Sequence, residues 1–187
     1  RKKVAAKLVE LINENGDRLS TGFVGTPYLL HVLSENGYTD VAYTLLLQEK
    51  MPSWLYSVNH GATTMWERWN CVKEDGTFSD VSMTSFNHYA YGAVADWLYG
   101  VVAGIESLAD GAGYEHISLS PKPSEKLGFV NCKIETAHGA VVSKWYYGKE
   151  FIHYEFEIPS GTTAELSLID GTKKTLTSGK YLFTTKI

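Results

Sequence analysis

The residues best suited to chemistry in this 187-residue sequence lie in the run Gly61-Ala62-Thr63-Thr64-Met65-Trp66-Glu67-Arg68-Trp69. Glu67 is a carboxylate flanked by Trp66 and, two residues on, by Trp69. Indole faces can stack on the apolar face of a sugar ring, and a well-placed carboxylate can take a proton from water as a general base. The same residues also fit a Glu67–Arg68 surface pair beside buried tryptophans. The run therefore predicts either a sugar-handling catalytic site or an ordinary surface pair.

A second run with candidate ligand-binding residues is Ser85-Phe86-Asn87-His88-Tyr89-Ala90-Tyr91-Gly92. A neutral imidazole at His88 can bond a hydroxyl group or orient a carboxylate. Asn87 is a residue type that caps helix N-termini. The alternative is a histidine whose hydrogen bonds are satisfied within the core.

The spacing of the other reactive residues disfavours metal, phosphate and thiol chemistry. No metal-ligand spacing connects the remaining histidines, which are His31, His60, His116, His138 and His153. We therefore expect no metal site and no cofactor. Residues 22–26 lack the Lys-Ser/Thr pair that a phosphate-binding loop requires. Cys71 and Cys132 lie in segments of different character, and we interpret both as buried free thiols.

The elements that must position these residues are helical in the first part of the chain. Apolar residues recur at helical spacing over residues 3–15, 26–36 and 39–47, and Asn-Gly or proline signals end these segments. Residues 85–108 are apolar almost all round and predict one long buried helix. Such a helix needs neighbours on several sides, so we interpret this part as the last part of a larger helical barrel or solenoid.

The second part of the chain has the period of β-strands. After Gly111-Ala112-Gly113, apolar and polar residues largely alternate over residues 116–119, 140–147, 152–158 and 164–168. Asp170-Gly171 is a strong hairpin signal. We therefore predict an antiparallel β-sandwich, with one domain over residues 1–108 and a second over residues 109–187.

Composition and charge limit the partners. Seventeen Lys and Arg against 21 Asp and Glu give a formal net charge of −4, which argues against nucleic acid. The aromatic content of 13% suits a ring-stacking ligand and a thick core alike. No apolar run approaches the ~20 residues of a membrane span. The chain opens on Arg1-Lys2-Lys3-Val4 without a signal-peptide pattern, so we interpret it as part of a longer protein and leave its compartment open.

Four runs, taken in order, resemble the C-terminal end of the bacterial α-L-rhamnosidases (glycoside hydrolase family 78). They are Thr21-Gly22-Phe23-Val24-Gly25-Thr26, Pro52-Ser53-Trp54-Leu55-Tyr56, the run over residues 61–69, and Ser85-Phe86-Asn87-His88-Tyr89-Ala90-Tyr91-Gly92-Ala93-Val94. The resemblance continues through Tyr114-Glu115-His116-Ile117, Pro121-Lys122-Pro123 and Gly139-Ala140-Val141. It implies the last helices of an (α/α)₆ catalytic barrel over residues 1–108, followed by the closing β-domain of the family.

The resemblance also implies a reaction, which is the inverting hydrolysis of a terminal α-L-rhamnosyl residue from glycosides or polysaccharides. By matching motif, Glu67 is the implied general base and His88 the implied ligand of rhamnose hydroxyls. The implied walls of the sugar pocket are Trp54, Trp66 and Trp69.

One part of the family pattern has no match in this sequence. Inversion needs a second carboxyl group as the general acid, and the family's acid motif lies upstream of the matched runs. Asp80 and Asp96 are poor substitutes because neither lies in a comparable context. We therefore expect this polypeptide alone to be inactive.

Two other functions stay open at this point. The chain could belong to an (α/α)₆ glycosidase for another sugar, because a fold alone does not fix the chemistry. It could also be a non-catalytic carbohydrate-binding module whose sandwich presents Trp145, Tyr146 and Tyr147 as a platform. Alternation places Trp145 and Tyr147 on one face and Tyr146 on the other, which favours core packing of the first two.

The expected partners follow from the same observations. We expect a rhamnose-containing glycoside as substrate, with no nucleic acid and no membrane. Helix surface that evolved to be covered is apolar, and large apolar patches usually find a partner. We therefore expect self-association through the helices near residues 3–47.

Overall fold

The computed structural model describes residues 1–80, 82 and 84–187. Its contacts divide the chain into two compact units, Arg1–Ala95 and Asp96–Ile187. The boundary that the sequence suggests after residue 108 stays a prediction. No helix in the described part of the chain is long and apolar enough to cross a membrane.

Four α-helices lie within residues 1–60 of the first unit. They are α1 (Lys2–Glu14), α2 (Thr26–Glu35), α3 (Thr39–Leu46) and α4 (Trp54–Asn59). The first three coincide with the helices predicted from apolar spacing. Helix α4 falls within a stretch without a regular pattern, and the Ser53 hydroxyl caps it by accepting the Tyr56 N–H at 3.0 Å.

The predicted long helix over residues 85–108 is wrong in extent. The chain forms a 3₁₀ turn at Ala90–Ala93, a single α-turn α5 at Val94–Trp97 and a π-helical turn at Leu98–Val102. Gly104 then has φ 71°, and a Cβ atom there would lie 2.1 Å from the Pro121 nitrogen. Only glycine fits this close approach, so the helical turns end and the next residues form a strand.

The second unit contains two four-stranded sheets. Its strands are β1 (Ile105–Ser107), β2 (His116–Leu119), β3 (Phe129–Thr136), β4 (Gly139–Tyr147), β5 (Phe151–Ile158), β6 (Thr163–Ser167), β7 (Lys173–Leu176) and β8 (Gly179–Lys186). The sheet orders are β1-β2-β6-β7 and β3-β4-β5-β8. The predicted helical part followed by a β-sandwich is confirmed. One neighbouring pair, β2 with β6, is parallel, while the other pairs are antiparallel.

The hairpin predicted at Asp170-Gly171 joins β6 to β7. Gly171 has φ 89°, which is a backbone conformation that glycine adopts without strain. The Asp170 carboxylate accepts the Thr172 N–H at 2.9 Å. This hydrogen bond and one from the Thr172 hydroxyl lower the pKa of Asp170 below its usual value.

Strand β4 places the three aromatic residues of the hypothetical binding platform on two different faces. Trp145 is fully buried, Tyr147 is half-buried and Tyr146 is 53% exposed. The Trp145 indole N–H donates to the Val102 carbonyl at 2.8 Å. The three side chains therefore do not form one exposed surface, as their alternation predicts.

Candidate functional site

The two runs that carry the candidate residues lie side by side. The Glu67 N–H donates to the Ser85 carbonyl at 2.9 Å, and the His88 N–H donates to the Met65 carbonyl at 2.8 Å. The Thr64 hydroxyl also donates to the Phe86 carbonyl. These bonds pair residues 64–67 with residues 85–88, so Glu67 and His88 lie on adjacent segments of chain.

The Glu67 carboxylate has a fixed partner within this pairing. Its Oε2 atom accepts the Ser85 N–H at 2.8 Å, so Glu67 and Ser85 are joined through both backbone and side chain. The Glu67 side chain is half-buried. A carboxylate that is anchored at one oxygen and partly exposed is a suitable acceptor for a proton from water.

Cys71 also forms hydrogen bonds with the two paired segments. Its thiol is fully buried, donates to the Ser85 carbonyl at 3.6 Å and accepts the Arg68 N–H at 3.4 Å. Both cysteines are free, as predicted, but Cys132 is half-buried rather than buried. Burial still raises the pKa of the Cys132 thiol above its usual value.

His88 is oriented by one hydrogen bond and two ring contacts. Its Nδ1 atom accepts the Ala90 N–H at 3.3 Å, which leaves Nε2 to carry the proton of a neutral ring. The imidazole stacks on Phe23 with 4.8 Å between centroids and on Tyr89 with 5.2 Å. His88 is half-buried and Tyr89 is almost fully exposed.

The three candidate tryptophans come together around one cavity of about 250 Å³, whose lining also includes Tyr91. Trp54 contacts Trp69 edge to face, with 5.3 Å between centroids, and donates its indole N–H to the Tyr91 carbonyl at 3.0 Å. Trp69 stacks on the Tyr91 ring at 3.7 Å. Burial is the main cause that raises the pKa of the Tyr91 phenol, so its hydroxyl stays protonated at neutral pH.

The cavity does not bring all the candidate residues together. Trp54, Trp66 and Trp69 line it, whereas Glu67 and His88 are not among the lining residues that the structure describes. Trp66 is 5% exposed and contacts Phe86 edge to face. The tryptophans therefore form an aromatic cavity, while the carboxylate and the imidazole lie on the paired segments.

Other chemistry near these segments is limited. The Ser82 N–H and hydroxyl donate to the Asp80 carboxylate at 2.9 and 2.8 Å and lower its pKa. A general acid needs the opposite shift, because it must hold its proton near neutral pH. Within residues 1–80, 82 and 84–187, no three His, Cys, Asp or Glu side chains are placed to hold a metal ion.

Sequence reasoning missed four residues that organise the site. Ser85, Cys71, Phe23 and Tyr91 all belong to or adjoin the quoted runs, but their types alone indicate neither a carboxylate ligand nor a ring partner. Hydrogen bonds across 18 and 14 positions reveal Ser85 and Cys71, and ring contacts with His88 and Trp69 reveal Phe23 and Tyr91.

A helical part with an aromatic cavity and a nearby half-buried carboxylate, followed by a β-sandwich, is typical of a carbohydrate-active enzyme. Comparisons with known proteins narrow this class to one family. Residues 1–102 match the model of the bacterial alpha-L-rhamnosidase 6 hairpin glycosidase domain, and residues 104–183 match that of the bacterial alpha-L-rhamnosidase C-terminal domain. The chain therefore belongs to the bacterial alpha-L-rhamnosidase family.

Individual relatives agree with this family. An alpha-L-rhamnosidase of Formosa agariphila is 44% identical over 87% of this chain, and one of Streptomyces avermitilis is 44% identical over 89%. The chain spans about a sixth of the length of these relatives, 17% and 16% respectively.

Solved structures of alpha-L-rhamnosidases also match all or nearly all of the chain. The Streptomyces avermitilis enzyme complexed with L-rhamnose has a TM-score of 0.93 and 38% identity, and the match covers 100% of this chain and 20% of that one. The native Aspergillus terreus enzyme has a TM-score of 0.93 and 35% identity, and the match covers 98% and 21%.

Proposed function

We propose that this chain supplies the general base and part of the sugar pocket to an inverting α-L-rhamnosidase that releases terminal α-L-rhamnose. The observation that carries the proposal is the bond from the Ser85 N–H to the Glu67 carboxylate, within the pairing that also carries His88. A solved relative named as an alpha-L-rhamnosidase was crystallised with L-rhamnose, which supports the choice of sugar.

In this mechanism Glu67 takes a proton from the water that attacks the anomeric carbon. Inverting glycosidases keep their two carboxyl groups roughly 6.5–9.5 Å apart, so that this water fits between base and sugar. His88 donates from Nε2 to a rhamnose hydroxyl and so orients the ring. Trp54, Trp66 and Trp69 provide apolar walls, and Trp69, which is half-buried, offers more accessible surface to a ligand than the buried Trp54 and Trp66 do.

The general acid must come from outside the residues assigned so far. Asp80 has a lowered pKa, and Asp96 does not lie in a context comparable to the acid motif of the family. We therefore infer that the chain works as the C-terminal segment of a longer rhamnosidase and contributes one half of the catalytic pair.

The test compares two proteins on an aryl α-L-rhamnoside. The longer enzyme that contains this chain is expected to release L-rhamnose, whereas the 187-residue chain alone is expected to release none above the buffer rate, because it lacks the acid. The anomer formed first, read by NMR, is expected to be the inverted β anomer. Turnover by the chain alone near the rate of the longer enzyme would contradict the division of the catalytic pair. A first-formed α anomer would contradict the inverting mechanism.

The exposed apolar face of α1 and α2 supports a second expectation, which is self-association of the isolated chain. Val4 is 74% exposed and Leu11 49% exposed. A hollow of about 530 Å³ is lined by Arg1, Val4, Ala5, Leu8, Val32, Glu35 and Asn36. Such surface gains free energy when it is covered.

Light scattering at increasing concentration is expected to give a mass above that of one chain. Val4→Glu places a charge on the apolar face and should return the mass to that of the monomer. Ile169→Glu, at an exposed apolar residue of the second unit, is the matched control and should leave association unchanged. A monomer at every concentration, or equal effects of both variants, would contradict association through α1 and α2.

A further inference from the structure

The loop over residues 21–26 has no role in the function proposed so far, although it is one of the runs that the sequence singles out. Hydrogen bonds within the loop stabilise its conformation. The Thr26 hydroxyl donates to the Gly22 carbonyl at 2.9 Å and lies 2.8 Å from the Thr21 hydroxyl. The Gly25 and Thr26 N–H groups donate to the same Gly22 carbonyl. Thr26 is 3% exposed and begins α2, so the loop is anchored to a helix.

Two contacts connect this loop to the candidate site. The Trp69 indole N–H donates to the Thr21 carbonyl at 3.1 Å. The Phe23 ring stacks on His88 at 4.8 Å, with 12° between the planes, and contacts Tyr91 at 5.3 Å. Because Tyr91 also stacks on Trp69, the loop is joined to both the aromatic cavity and the imidazole.

Phe23 is too exposed for core packing alone to explain a phenylalanine at this position. Its side chain is 42% exposed, so burial alone gives a weak reason for a phenylalanine here. Its ring is nevertheless nearly parallel to that of His88. A ring stacked on one face of an imidazole, together with the Ala90 N–H on Nδ1, defines both the plane of the imidazole and the direction of Nε2.

We propose that Phe23 is a positioning residue, whose ring holds the His88 imidazole with Nε2 directed toward a hydroxyl group of the bound sugar. This inference rests on the proposed function only for the identity of the ligand. The contact between Phe23 and His88 is a property of this chain, so it can be tested with and without substrate.

The first test is NMR of the 187-residue chain. The His88 ring protons lie in the ring current of Phe23, so Phe23→Leu is expected to shift their resonances, whereas Phe23→Tyr keeps a ring and should leave them near their original positions. Val24→Ala, at a residue of the same loop that is 85% exposed, is the matched control and should shift nothing. Unshifted His88 resonances in Phe23→Leu would overturn the proposal.

The second test is the kinetics of the longer enzyme on an aryl α-L-rhamnoside. Stacked aromatic pairs contribute enough free energy for Phe23→Leu to raise KM roughly three- to tenfold. The kcat should change less than about twofold if ground state and transition state lose the same sugar contact. Phe23→Tyr should keep KM near its wild-type value, because it keeps an aromatic ring. A residue needed only for folding would not make KM depend on an aromatic ring at this position.

The outcomes distinguish the two proposals. If the wild-type enzyme releases rhamnose and His88→Ala raises KM while Phe23→Leu does not, the positioning role fails and the function stands. If the wild-type enzyme is inactive on rhamnosides but Phe23→Leu shifts the His88 resonances, the function fails and the contact stands. A fall in kcat with KM unchanged in Phe23→Leu would also overturn the positioning role.

Discussion

Glu67→Gln is expected to lower rhamnose release by the longer enzyme by a factor of about 10²–10⁴, the usual cost of losing a general base. The loss should appear in kcat, because the proton moves in the transition state and substrate binding does not require it. Glutamine has nearly the shape of glutamate, and its side-chain oxygen can still accept the Ser85 N–H that now bonds Oε2. The fold should therefore survive the change, and the melting temperature of the variant checks that it does.

The matched control for this prediction is Glu74→Gln, at an exposed carboxylate that follows the same run in the chain. It should leave kcat within about twofold. A small anionic nucleophile such as azide needs no deprotonation, so it should restore turnover of an activated aryl rhamnoside in Glu67→Gln. Full activity of Glu67→Gln would move the base to another residue. Loss of activity without azide rescue would assign Glu67 a role other than proton acceptor.

Residue types at the ends of helices and strands were sufficient to predict the elements that carry such end signals. Helix α2 begins at Thr26-Pro27 and ends before Asn36-Gly37, and both ends carry residue types that favour those positions. The strands of the second unit are equally regular where apolar and polar residues alternate. Helix α4 shows the limit, because its serine cap is a correct start signal but six residues are too few to show a helical period.

The residues after position 85 could not be predicted in this way, because a distant contact decides their structure. Their apolar pattern favours a helix, yet the chain leaves the helical conformation at Gly104, where Pro121 approaches the backbone too closely for any side chain. Ile105 then pairs with Leu119. Gly104 permits that approach, but its residue type alone does not indicate that Pro121 makes it.

The candidate site could likewise be predicted from the sequence only in part. The residue types and motifs predict Glu67, His88 and the tryptophans as a set. Hydrogen bonds from Ser85 and Cys71, each with a partner far along the chain, determine how the Glu67 segment is held. The separation of the aromatic cavity from the carboxylate is likewise a property of the folded chain, since Trp66 and Glu67 are adjacent in sequence.

Trp145→Ala is expected to cost about 3–5 kcal/mol of the free energy of unfolding, the range for removing a fully buried large aromatic side chain. The indole has 0% exposure, and its N–H donates to the Val102 carbonyl at 2.8 Å. Removing it leaves a cavity within the second unit and a buried carbonyl without this donor. Denaturant unfolding followed by circular dichroism of the β-structure measures the loss.

The adjacent residue provides a control for this prediction. Tyr146 points to the other face of β4, is 53% exposed and stacks on His153 at 4.7 Å. Tyr146→Ala should therefore cost less than about 1 kcal/mol, because only a surface ring contact is lost. Since a one-residue shift in strand register exchanges the two faces, the difference between these neighbours tests the register that pairs Trp145 with Tyr154. Equal losses would contradict that register and the burial of Trp145 within the second unit.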